Sequence, residues 1–212
     1  MNQRLWLNCI DGVIPGGITE TDFSVVAKTD LPTARTILQE LVQNGIGRAE
    51  QDVVEFEDGD KLKAALFAIQ KGATLDDAAK HLSWRDFEGL TAKILEARDF
   101  EVVRNRIMTG PRMEIDVVGI KLGVAMLIDC KHWERHSVAA LKEAVKKQVL
   151  RTKHYVAKTS GAVAAPVIVT LYQEKVSFID KVPIVPIFQL PSFIDEFYGN
   201  LDDVETIKKE SQ

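Results

Sequence analysis

The clearest pattern along the chain is a pair of alternating runs, Arg112-Met113-Glu114-Ile115-Asp116-Val117-Val118-Gly119-Ile120 and Val124-Ala125-Met126-Leu127-Ile128-Asp129-Cys130-Lys131. Alternation at period two, bounded by turn residues, predicts two β-strands. The connector Lys121-Leu122-Gly123 is short enough to permit only an antiparallel hairpin. With the turn centred on Leu122-Gly123, residue 120 faces 125, 118 faces 127, 116 faces 129 and 114 faces 131. Strict alternation puts Glu114, Asp116, Val118 and Ile120 on one face, opposite Ala125, Leu127, Asp129 and Lys131.

Around this hairpin the periodicity is mostly helical. A weak helix is expected near Gln3–Ile10, followed by a loop from Gly12 to Gly17. Thr19 or Thr21 can cap a helix through Phe23, Val25 and Val26. Pro32 suits the first turn of a helix with Ala34, Ile37, Leu38, Leu41 and Val42 inside, stopped by Gly45. Residues 46–50 and 53–56 make a small hairpin, and Lys61–Lys71 a further helix. A linking helix is expected over 73–82. Ser83 then opens a helix with Asp86 at its third position and Glu88 beside the apolar stripe of Phe87, Leu90 and Ile94.

Phe100–Ile107 reads as a strand, and Ser137 caps a long helix with Val138, Leu141, Val145, Val149, Thr152 and Val156 inward. On that helix Lys142, Lys146, Lys147, Gln148, Arg151 and Lys153 form a basic, polar face. Residues 166–171 are almost wholly apolar, as in a strand covered on both sides. A helix or turn is expected over 174–181, a strand at Ile184–Ile187 and a helix at Ser192–Tyr198. The expected division is therefore a mainly helical domain 1–72, a linker 73–82, an α/β domain 83–200 and a polar, fraying tail 201–212. The second domain's order predicts a mixed β-sheet flanked by α-helices.

The 212 residues are 46% hydrophobic and 27% charged, which suits a globular protein. No apolar run approaches the ~20 residues of a membrane helix, and the N-terminus lacks an apolar signal segment. An intracellular, cytoplasmic protein without a membrane partner is expected. Two cysteines, Cys9 and Cys130, are too few for a disulfide framework or a zinc cluster. The net charge of −4 disfavours indiscriminate nucleic-acid binding. Its distribution matters more: residues 1–80 carry 8 basic and 13 acidic side chains, whereas residues 129–158 carry 8 and 3. The basic block begins at the second strand of the hairpin.

In the hairpin register Asp116 stands opposite Asp129, with Glu114 and Lys131 beyond them. Like charges across a ladder destabilise it, and carboxylates leaving water require compensation. A divalent cation between them supplies it, since Mg²⁺ is commonly held by one or two carboxylates and several waters. The bland alternative is an exposed hairpin end with solvated charges.

The order helix with Glu88, strand, Glu114-Ile115-Asp116, strand ending Asp129-Cys130-Lys131, then a long helix with Gln148 resembles the PD-(D/E)xK restriction-endonuclease-like superfamily. It is most similar to the Mrr-like and archaeal Holliday-junction-resolvase-like branches. The runs Trp84-Arg85-Asp86-Phe87-Glu88-Gly89-Leu90 and Glu96-Ala97-Arg98-Asp99-Phe100-Glu101-Val102 resemble the Mrr-type opening. The resemblance covers about residues 83–195 and implies a Mg²⁺- or Mn²⁺-dependent endonuclease acting on DNA, with a homodimer admitted. It implies Asp116, Asp129, the Cys130 carbonyl and Glu88 as metal ligands. Lys131 would activate the attacking water, and Gln148 would complete the catalytic set. Ile115 stands where a proline often precedes the first aspartate.

Separately, the first domain resembles a winged helix, with Arg35 and Thr36 on the helix expected to meet DNA. Its charge leaves contacts with protein as an equal alternative. Arg112, His132, Arg135, Lys147 and Arg151 are the candidates for tracking a phosphate backbone, unless that helix face is merely solvated. Three other readings stay open: a non-catalytic DNA-binding or regulatory protein on a nuclease scaffold, a nuclease acting on RNA, and a winged-helix adaptor whose second domain only mediates assembly and binds no metal.

Overall fold

The computed structural model describes residues 3–133 and 137–209. It divides into two compact units, Met1–Asp86 and Phe87–Gln212. None of the described helices is long and apolar enough to cross a membrane.

The first unit contains α1 (Gln3–Gly12), β1 (Gly16–Thr19), α2 (Glu20–Val26), α3 (Leu31–Gln43), β2 (Arg48–Glu50), β3 (Val53–Phe56), α4 (Asp60–Gln70) and α5 (Leu75–Lys80). Local chemistry sets these boundaries. The Thr19 side chain accepts the Asp22 N–H, and Asp30 accepts the Thr33 N–H ahead of Pro32. The segment expected as a loop after α1 contains β1, which pairs antiparallel with β3 to give a sheet of order β1-β3-β2. Within residues 73–82, where a linking helix is expected, α5 buries Ala78 and Ala79, and His81 Nδ1 lies 2.8 Å from Asp11 Oδ1.

The division between units falls inside α6 (Trp84–Glu96), four residues later than the spacing suggests. The second unit continues with β4 (Glu101–Met108), β5 (Met113–Lys121), β6 (Val124–Lys131), α7 (Val138–Lys158), β7 (Val163–Thr170), β8 (Phe178–Ile179), β9 (Val182–Pro186), α8 (Leu190–Glu196) and β10 (Ile207–Lys208). Strand order is β4-β5-β6-β7-β9-β8, antiparallel from β4 to β6 and parallel across β6-β7-β9. This mixed sheet flanked by helices is the α/β arrangement that the order of elements predicts.

Two expectations fail at the edges. Residues 178–179 form a strand, turned back onto β9 by Asp180 and Lys181, both at positive φ. The C-terminal segment does not simply fray, because Ile207 and Lys208 pair with Ala164 and Val163 at the start of β7. Both pairings join residues far apart in sequence or too few to show a period.

The central hairpin keeps the expected register at its closed end. Lys121 pairs with Val124, Ile120 with Ala125 and Val118 with Leu127. The two turn residues Leu122 and Gly123 have φ of 50° and 78°, the left-handed pair that matches the twist of a two-residue hairpin. Gly119 allows α6 to approach closely: a Cβ there would stand 3.1 Å from Leu95 Cδ1. On the other face, Ile115, Val118, Ala125 and Leu127 pack with Tyr155 and Val156 of α7.

Candidate functional site

Asp116 lies where both of its strand pairings lapse. The ladder between β5 and β6 ends at Val117–Ile128, so the expected pairs 116–129 and 114–131 do not form as ladder pairs. On the other side, the bonded register of β4 and β5 skips Asn105, the residue across from Asp116, whose φ is +51°. Ile115 and Val118, three residues apart, share one core cluster, so strict alternation breaks between them. Freed from the ladder, the Asp116 side chain accepts the Cys130 N–H through Oδ2 at 2.7 Å.

Asp129, at the end of β6, is 2% exposed. Its Oδ1 accepts Arg151 Nη1 at 2.8 Å. Lys131 Nζ lies 2.7 Å from Oδ2 as an ion pair without hydrogen-bond geometry. Lys131 also lies 5.2 Å from the centroid of the Trp133 ring. Burial first, and then the charge of Asp129, push the Asp116 carboxyl up to about 6, against the pull of the Cys130 N–H, Lys131 and Arg151. The two carboxylates are therefore electrostatically coupled, as the register suggests, although the ladder between them has opened.

Gln148 is not part of a solvent face. It is fully buried, with Nε2 donating to the Leu127 carbonyl at 2.8 Å and Oε1 accepting Arg151 Nη1 at 3.3 Å. This single side chain supports both the backbone of β6 and the guanidinium on Asp129. Nor is Val138 inward, being 42% exposed at the start of α7.

Glu88 is buried on α6 and within electrostatic reach of the Cys130 thiol, whose Sγ lies 3.6 Å from Thr91 Oγ1. Burial raises that thiol well above its ordinary value. Among the described residues, no three His, Cys, Asp or Glu side chains are grouped so as to hold a metal ion. Glu88, Asp116 and Asp129 thus do not make a three-carboxylate cage. What fits a cation is narrower: two coupled carboxylates, with a buried Asp129 oxygen that lacks a hydrogen bond. That matches Mg²⁺ chemistry, in which one or two carboxylates suffice and water fills the other positions.

Of the basic candidates, Arg112, Lys147 and Arg151 come together with Met113, Glu114 and Leu150 around a cleft of about 250 Å³. The His132 ring instead packs edge-on against Phe87, with centroids 5.2 Å apart. Arg135 lies outside the described residues. In the first unit Arg35 is paired with Glu20 by hydrogen bonds of 2.8 to 2.9 Å, and the Thr36 hydroxyl donates to the Pro32 carbonyl. The exposed Glu20 carboxyl is held below its usual range by Arg35.

The contacts of Arg151 with Asp129 and of Trp133 with Lys131 were missed by sequence reasoning. Arg151 follows Gln148 by three positions, a helical neighbour spacing that offers a weak signal. Nothing in the spacing marks Trp133.

Residues 79–181 match the restriction-endonuclease family Mrr_cat. An uncharacterized protein of Archaeoglobus fulgidus is 30% identical over 121 residues, covering 55% of this chain and 93% of the relative. Among solved structures, a protein of unknown function, AF1548, matches 42% of this chain at 23% identity with a TM-score of 0.34. Protein VC1899 from Vibrio cholerae matches 95% at 13% identity with a TM-score of 0.46. The chain matches 47% and 52% of those two structures, about half the length of each. Together with the Archaeoglobus fulgidus relative, 93% of which is covered, the match over 79–181 shows that this chain belongs to the restriction-endonuclease-like PD-(D/E)xK superfamily.

Proposed function

We propose that the second unit is a metal-dependent endonuclease that hydrolyses DNA phosphodiester bonds. The observation that carries this reading is Asp116 held on the Cys130 N–H at 2.7 Å, next in the chain to buried Asp129, with the Lys131 ammonium 2.7 Å from Asp129. Asp116 and Asp129, with the Cys130 carbonyl as a further candidate, would hold Mg²⁺ or Mn²⁺. Bound there, a divalent cation supplies Lewis acidity toward a phosphoryl oxygen and makes water more acidic. Lys131, steered by Asp129 and the Trp133 ring, sets a positive charge where negative charge develops on non-bridging oxygens. Arg112 and Lys147 in the adjoining cleft bind backbone phosphates without reading sequence. Gln148 acts through β6 and Arg151 and is a positioning residue.

We read the first unit as a winged-helix-like accessory domain, a reading supported by its helix order and the hairpin β2-β3. The pairing of Arg35 with Glu20 favours contacts other than phosphates at α3.

One observation favours the non-catalytic reading. Asp129 already has Lys131 and Arg151 beside it, so opposed carboxylates do not by themselves require a metal. The test is cleavage of supercoiled, linear, forked and four-way DNA, with single-stranded RNA alongside, in Mg²⁺ or Mn²⁺. Wild type should nick DNA, and Asp129→Asn and Lys131→Ala should lose at least about a hundredfold in rate while folding normally. Equal rates for wild type and Lys131→Ala would end the catalytic assignment. Cleavage confined to RNA would replace the substrate class.

A further inference from the structure

Arg151 belongs to two sites at once. Its Nη1 donates to Asp129 Oδ1 at 2.8 Å, and the same side chain lines the cleft with Arg112 and Lys147. Gln148 Oε1 steadies it at 3.3 Å, and the side chain is only 25% exposed. Its charge therefore acts on Asp129 with little screening by water. A cation entering at Asp129 meets a carboxylate whose two oxygens already face Arg151 and Lys131.

We propose that Arg151 is a built-in counter-ion for Asp129, a placeholder that a divalent cation must displace and that is thereby released toward phosphate in the adjoining cleft. The inference rests on the metal-binding reading of Asp116 and Asp129 and deepens it. Arg151 is then a positioning residue that couples metal uptake to binding of an anionic backbone. Two like-charged ligands of one carboxylate compete, so removing the guanidinium strengthens metal binding. The same removal weakens phosphate binding, because one cation is lost from the cleft. An arginine that merely held Asp129 in a productive orientation would have the opposite effect on the metal.

The experiment is calorimetric titration of Mn²⁺ into wild type, Arg151→Gln and Arg151→Lys, with thermal unfolding of each run with and without Mn²⁺. Arg151→Gln should bind Mn²⁺ about tenfold more tightly and gain more in Tm from it than wild type does, while Arg151→Lys stays within a few-fold of wild type. In Ca²⁺, a short duplex should bind Arg151→Gln more weakly, with the salt slope smaller by about 0.9. Unchanged or weaker Mn²⁺ binding by folded Arg151→Gln overturns the placeholder role and leaves the nuclease reading standing. Wild type that takes up no Mn²⁺ removes both. If Arg151→Gln does not fold, tighter Mn²⁺ binding by Arg151→Lys than by wild type would contradict the requirement for charge alone at this position.

Discussion

Asp116 Oδ2 accepts the Cys130 N–H at 2.7 Å, so a carboxylate of β5 is tied to the backbone of β6 one residue past Asp129. The bond takes the place of ladder pairing, which ends at Val117–Ile128. It keeps Asp116 beside Asp129 in a partly buried position, where neither charge has full access to water. The Asp116 carboxyl is raised to about 6 as a result.

That shift makes a pH-dependent prediction. A carboxyl raised in the folded state is at no disadvantage below its unfolded value of ~3.9, where both states are protonated. Stability falls as pH rises through about 6, by up to ~3 kcal/mol for a two-unit shift. Without metal, Asp116→Asn should therefore be near neutral at low pH and more stable than wild type above the folded value. Thermal unfolding across that range checks it, and a pH-independent difference between the two proteins would contradict it. Added Mn²⁺ should raise the Tm of wild type but hardly that of the variant.

Gln148→Leu removes the donor to the Leu127 carbonyl and leaves that acceptor buried. A loss of about 1–3 kcal/mol is expected by denaturant titration. A neutral effect would mean that the Leu127 carbonyl is satisfied in some other way.

Backbone conformation predicts two opposite results in β4 and at the hairpin turn. Asn105 has φ +51°, which a β-branched side chain adopts poorly. Asn105→Val should destabilise by about 1–2 kcal/mol, whereas Asn105→Gly should be tolerated. Leu122, at φ +50° and largely exposed, has no packing to lose, so Leu122→Asn should stabilise by ~0.5–1 kcal/mol. Urea unfolding of the three variants reads both signs.

The Glu20–Arg35 pair offers a separate test of the first unit. Glu20→Gln frees the guanidinium on α3 with little consequence for folding, because the pair is exposed. If α3 meets a phosphate backbone, duplex affinity should rise and the salt slope should steepen by about 0.9. Unchanged affinity and slope would assign that helix face to other contacts.

Several features of the candidate site are local enough to read from the chain. A two-residue connector and apolar residues on both sides fix the hairpin register near Leu122-Gly123, so Asp116 and Asp129 fall near one another before any tertiary contact is considered. Ser137 accepting the Ala140 N–H, and Thr19 and Asp30 acting in the same way, mark helix starts from single residues. Other features belong to packing. Gln148 reads as one polar residue among lysines, and only the approach of α7 to β6 turns it inward to the Leu127 carbonyl.

The sequence by itself determined the hairpin, the order of helices and strands, and the gathering of acidic and basic groups at the strand ends. These depend on turn length, caps and periodicity, which act over a few residues. Only the tertiary structure decided that alternation breaks between Ile115 and Val118, that Arg151 sits on Asp129, and that residues 207–208 pair with β7. Each of these relates segments distant in the chain, whose meeting is set by the packing of the whole sheet rather than by any local spacing.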